Sequence, residues 1–98
     1  GMDMYHNEHT ARTVRLAAGG VVALTARVLG GQISSGFALV RPPGHHACED
    51  RMAGFCFLNS VAIAARYAVR QHALSRVLIV DWDVHHGDGT QVSDLPKW

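Results

Sequence analysis

Between Thr10 and Leu29, the residues Val14, Ala18, Val21, Leu24 and Val28 recur at three- and four-residue spacing, which predicts an amphipathic helix. Thr10 or Asn7 is placed to cap its start, and Gly30-Gly31 to stop it. Gly19-Gly20 inside it costs roughly 1 kcal/mol per glycine relative to alanine, so the pair predicts close packing there. Phe37 to Val40 is an apolar run of strand length, broken by Arg41-Pro42-Pro43-Gly44. A second helix is expected from Asn59, its N-cap, to about His72. Only Arg66 and Arg70 form a polar stripe on it, which predicts a largely buried helix. Val77-Leu78-Ile79-Val80 is continuous and rich in β-branched residues, the pattern of a strand covered on both faces.

The order is helix, strand, loop, helix, strand, loop, with no repeat or low-complexity tract. Two buried strands joined by a helix predict one βαβ unit of an α/β fold, preceded by a helix. Both strands run into polar, histidine-rich loops, and parallel α/β sheets bind ligands just beyond the carboxyl ends of their strands. The unusual chemistry therefore sits where such a sheet would use it.

Composition narrows the classes. At 98 residues the chain holds one domain at most, and 48% hydrophobic with 17% charged residues are globular values. Nine Lys+Arg against eight Asp+Glu give a net charge of +1, which excludes a strongly basic nucleic-acid arm or an acidic tail. Arg15 and Arg27 flank the longest apolar candidate, so no membrane span is expected. Two cysteines without a secretory leader predict a reducing compartment rather than a disulfide framework or secretion. Histidine is the outlier. Of the seven, four come as adjacent pairs, His45-His46 and His85-His86.

In Asp81-Trp82-Asp83-Val84-His85, a continued strand puts Asp81, Asp83 and His85 on one face, an O/N donor set that suits a divalent metal, zinc foremost. The plain alternative is that the two aspartates cap local backbone amides. Adjacent His45 and His46 point in different directions, so they suit separate tasks near a substrate, and an imidazole held by a carboxylate can act as a general base. Phe55 and Phe57 read most simply as core. Cys48 and Cys56 lack metal-ligand spacing, and Cys56 reads as a packed thiol.

Three ordered motifs carry a resemblance: Arg41-Pro42-Pro43-Gly44-His45-His46-Ala47, then Gly54-Phe55-Cys56-Phe57-Leu58-Asn59, then Val80-Asp81-Trp82-Asp83-Val84-His85-His86-Gly87-Asp88-Gly89-Thr90-Gln91. Together they resemble the zinc-dependent histone deacetylase family, its class II members most. The resemblance implies a fragment of a three-layer, arginase-like deacetylase fold with a parallel sheet. Residues 1–91 would be a partial deacetylase domain and 92–98 an atypical tail.

By position, the resemblance makes Asp83 and His85 two of three zinc ligands. It makes His46, supported by Asp88, the general base and acid, and His45, supported by Asp81, its electrostatic partner. Phe55 would wall the acyl-lysine tunnel, Gly54 would turn a backbone carbonyl to the substrate, and Asp3 would grip the substrate backbone. Asp81, with the carbonyls of Asp83 and His85, would help hold a structural potassium ion. The implied activity is hydrolysis of acetyl-lysine on histones or other proteins, in nucleus or cytoplasm, with corepressor-type partners and no direct contact with nucleic acid or membrane. Acetylpolyamine hydrolysis and a non-catalytic interaction module are the alternatives. The family's third zinc-binding aspartate and its carbonyl-polarising Gly-Gly-Tyr segment have no counterpart here, so a truncated and inactive product is expected.

Overall fold

The computed structural model describes residues 4–93. Its helices are α1 (Thr10–Leu29), α2 (Ser60–His72) and a short α3 (Asp88–Val92). The expected bounds of α1 and α2 agree with those observed. At the entry to α1 neither candidate is a conventional cap. Asn7 Oδ1 accepts from the His9 amide at 2.9 Å and Thr10 Oγ1 accepts from the Asn7 amide at 2.9 Å, so the two residues brace the turn that leads in. The exit follows the glycines: Gly30 N–H donates to the Ala26 carbonyl at 2.8 Å, and Gly31 takes φ +74°.

Helices α1 and α2 pack on each other. Val14, Ala17 and Ala18 of α1 are buried, with Val21, Leu24 and Val28 half-buried on the same face. Gly19 and Gly20 lie off it. A Cβ added to either meets no atom within 4 Å, so the close packing expected at this pair does not occur. Helix α2 buries Ala62, Ala64, Ala65 and Ala68, while Val61 and Ile63 remain exposed. Its burial is therefore one-sided, not circumferential. Asn59 caps it as expected, accepting from the Ala62 amide at 3.1 Å.

The expected βαβ sheet is not formed among the described residues. Phe37–Val40 and Val77–Val80 run without a β-ladder, and the bridges present are the isolated pairs Cys48–Arg51 and Ala53–Cys56 in the first loop. The two segments flank an open cleft of about 560 Å³ lined by Ala38, Ile79 and Val80 among others. Consecutive strands of a parallel sheet need not be neighbours, and strands must lie about 4.8 Å apart to share hydrogen bonds. A two-faced cover is missing as well. Val77 and Ile79 are half-buried, whereas Leu78 is 86% exposed, as is Phe37. The apolar run signals a strand whose second face these residues do not cover.

Candidate active site

The first loop and the segment after Val80 meet through their histidines. His45 Nδ1 lies 2.8 Å from Asp81 Oδ2, and His46 Nδ1 lies 2.6 Å from Asp88 Oδ1. An ionised carboxylate can only accept, so each imidazole carries its proton on Nδ1 and leaves Nε2 as the nitrogen that can take another. The two rings are tilted at 45° with centroids 4.2 Å apart. Adjacent in sequence, the histidines are thus held by separate carboxylates from 36 and 42 positions away.

The scaffold under this pair is polar. Asn59 is buried, and besides capping α2 its Nδ2 donates to the Ala47 carbonyl at 3.2 Å and to Thr90 Oγ1 at 2.9 Å. The Thr90 amide in turn donates to the His45 carbonyl at 3.2 Å. One side chain therefore joins the start of α2, the histidine loop and α3. Helix α3 carries Asp88 in its first turn and was not expected from the sequence, because Gly87 and Gly89 mask its helical character.

Two glycines let the parts approach. A Cβ on Gly87 would sit 2.5 Å from Asp81 Oδ2 and 3.2 Å from His45 Nδ1. Gly54, at φ +51°, packs against the His46 ring so closely that a Cβ would collide with Cδ2. Phe55 follows at φ +66° and is 60% exposed, so the reading of Phe55 as core does not hold. Cys56 is fully buried, and burial pushes its thiol above the ordinary range, as a packed, unreactive cysteine should be. Asp3 lies outside the described residues.

The expected convergence of Asp81, Asp83 and His85 on one metal is not seen. Among the described residues no group of three or more His, Cys, Asp or Glu side chains is placed to hold a metal ion. The carboxylates are instead engaged in hydrogen bonds. Asp81 turns its Oδ2 to His45 and its Oδ1 to the Asp83 amide at 3.1 Å, while Asp83 Oδ2 accepts from the His85 amide at 2.7 Å. The amide-capping alternative thus holds for both aspartates, and for Asp81 it coexists with the histidine contact. Asp83 and His85 remain an oxygen and a nitrogen donor of the kind zinc accepts. Two donors do not complete a site that needs at least three from protein.

Electrostatics follow the contacts. The carboxyl of Asp81 is held below its ordinary value mainly by the hydrogen bond from His45, and that of Asp83 mainly by the His85 amide. Asp88 is lowered chiefly by His46, with the Arg51 charge contributing. Arg51 was not anticipated from sequence: its guanidinium donates to Asp88 Oδ2 at 2.8 Å, a contact across 37 positions that no motif announces.

Two imidazoles side by side, each hydrogen-bonded to a carboxylate, are groups that can accept and hold protons at one place. The chain belongs to the histone deacetylase domain family, whose model matches residues 1–93. It is 53% identical over 90 residues to both histone deacetylase 9 and histone deacetylase 7 of Homo sapiens, covering 91% of this chain. A crystal structure of the HDA15 HD domain matches at a TM-score of 0.85 and 53% identity over 93% of this chain. The chain spans only 9% and 10% of the two human relatives and 26% of the solved chain.

Proposed function

We propose that these residues are the proton-handling part of a zinc-dependent lysine deacetylase acting on acetyl-lysine of histones or other proteins. The observation that carries this reading is the pair of independent His–Asp contacts, at 2.8 and 2.6 Å, on tandem histidines of a histone deacetylase family member. With Nδ1 committed to Asp88, His46 Nε2 takes a proton from an attacking water and returns it to the departing lysine amine. His45, backed by Asp81, stabilises charge beside it. Gly54 packs against the ring of His46, and with exposed Phe55 next to it would form the near wall of an acyl-lysine channel.

A bound zinc ion would supply carbonyl polarisation and a more acidic water, and Asp83 and His85 would be two of its ligands. Asp81 and the carbonyls beside it would serve the potassium ion. Because the described residues offer two zinc donors, the chain by itself should turn over no acetyl-lysine peptide in a hydroxamate-sensitive manner. A complete deacetylase domain carrying residues 4–93 should do so, with one zinc per chain. Turnover by the 98-residue chain, or an inactive but zinc-loaded complete domain, would overturn the proposal. The incomplete donor set favours a second reading for the chain on its own, a non-catalytic interaction module, and the same two measurements separate it from the first.

A further inference from the structure

Arg51 is placed with unusual care for a half-exposed loop residue. Its backbone is pinned on both sides, the Cys48 amide donating to the Arg51 carbonyl at 3.0 Å and the Arg51 amide returning to the Cys48 carbonyl at 3.4 Å. The next turn is closed in the same way, by Ala53 and Cys56 at 3.2 and 2.8 Å. From this anchored position the guanidinium reaches Asp88 Oδ2 at 2.8 Å, on the carboxylate whose other oxygen holds His46. Arg51, Asp88 and His46 thus form a three-membered chain ending at the proposed base.

We propose that Arg51 is a positioning residue: by occupying Oδ2 of Asp88 it fixes the carboxylate so that Oδ1 holds His46 Nδ1 and keeps Nε2 available. Its catalytic meaning rests on the deacetylase reading, which it deepens. The physical case is geometric. An aspartate at the start of a five-residue helix, with its side chain 41% exposed, can rotate about two bonds and share either oxygen with water. A charged donor on the second oxygen removes that freedom, because a rotation that breaks one contact now breaks both. The ion pair itself is too exposed to be a folding element, with both side chains more than 40% accessible. Packing supplies the opposite boundary: Gly54 bears on the far edge of the His46 ring, so the imidazole is held between a backbone wall and an oriented carboxylate.

The test uses the full chain labelled with [15N]histidine, reading the His46 Nδ1–H resonance and its exchange with solvent. In the unaltered protein the proton should sit on Nδ1 and exchange slowly. Arg51→Gln should speed its exchange by about tenfold, the consequence of losing one modest hydrogen-bonding restraint, and Arg51→Lys should restore slow exchange by returning a cationic donor. Unchanged exchange in the glutamine variant overturns the proposal, and so does failure of lysine to rescue it. A loss of helical circular dichroism in the glutamine variant would also overturn it, since Arg51 would then be structural. Absence of acetyl-lysine turnover from a complete, zinc-loaded domain in which the His46 signal behaves as expected would count against the deacetylase reading alone.

Discussion

The histidine site and the two strand segments are adjacent in the chain and opposite in character. At the site, polar side chains from three separate stretches close on one another within ordinary hydrogen-bond distances, and Asn59 ties the stretches together from a buried position. In the segments that lead into it, Phe37, Leu39, Leu78 and Val80 stand in the open, and no ladder joins the two runs. Among the described residues this centre is held by contacts other than a β-ladder, although its position after two apolar runs suggests a sheet. Among the described residues it is assembled by loop turns, a helix cap and a five-residue helix. The two apolar runs, by contrast, form no ladder with each other and leave Phe37, Leu39, Leu78 and Val80 exposed.

The largest effects should come from breaking the site. In a complete deacetylase domain carrying these residues, His46→Ala should retain zinc and lose about 10²–10⁴ in turnover, the typical worth of a general acid–base group. Asp83→Ala should lose activity together with zinc, measured by metal analysis after dialysis. A metal-free but otherwise folded His46 variant would show that this histidine serves the metal and not the proton.

The next effect sharpens the claim that Asn59 joins the parts. Asn59→Ala removes a cap and two donations from a buried side chain, which should cost about 1–3 kcal/mol in urea unfolding. Asn59→Asp keeps an acceptor for the Ala62 amide yet cannot donate to Ala47 or Thr90. It should therefore keep the helix content of α2 while loosening the histidine loop, seen as faster amide exchange at Ala47 and Thr90. Equal behaviour of the two variants would reduce Asn59 to a helix cap.

Acidification should act on the site before the helices. Asp81, Asp83 and Asp88 are each held below the ordinary carboxylate range, chiefly by His45, the His85 amide and His46 respectively. A depressed folded value favours the ionised form on folding. The stabilisation is thus present above the unfolded value of about 3.9 and is lost as pH falls through the folded values. Urea midpoints should be level above about pH 5, as far as these three groups set them, and decline below about pH 4. Substituting all three by asparagine should flatten that acid limb.

How much was legible follows from the same contrast. Helical spacing located α1 and α2, and Asn59 declared its cap, because those signals are local and the packing of α1 on α2 agrees with them. The tandem histidines and their carboxylates were legible through motifs, and the contacts His45–Asp81 and His46–Asp88 pair them as the family resemblance implies. Arg51 was not legible, since an ion pair across 37 positions leaves no periodic trace. Helix α3 was hidden by Gly87 at its N-cap and Gly89 within it. Placing Asp81, Asp83 and His85 on one face assumes an unbroken strand, whereas the described residues form no strand there and both aspartates receive backbone amides. Val77–Val80 was read as covered on both faces from composition alone, and composition records what a segment is suited to meet, not whether it meets it.

The smallest expected effect is the sharpest check on that last point. Leu78 is 86% exposed, so replacing it should remove almost no buried surface from this chain. Leu78→Thr should leave the unfolding free energy within about 0.5 kcal/mol, as for an ordinary surface substitution. Threonine, unlike leucine, is β-branched and favours strands, so a loss on this substitution reports burial and not weakened strand preference. In a complete domain, where a sheet would cover this face, truncating a buried leucine to alanine typically costs about 2–5 kcal/mol, and a similar loss is expected here. The two backgrounds together decide the matter. A large loss in the 98-residue chain at dilution, accompanied by a concentration-dependent midpoint, would mean that Leu78 is covered by a second copy and that the open face is an interface. A small loss in both backgrounds would mean that the apolar run is never covered at all, and the reading of Val77–Val80 as an interior strand would fall with it.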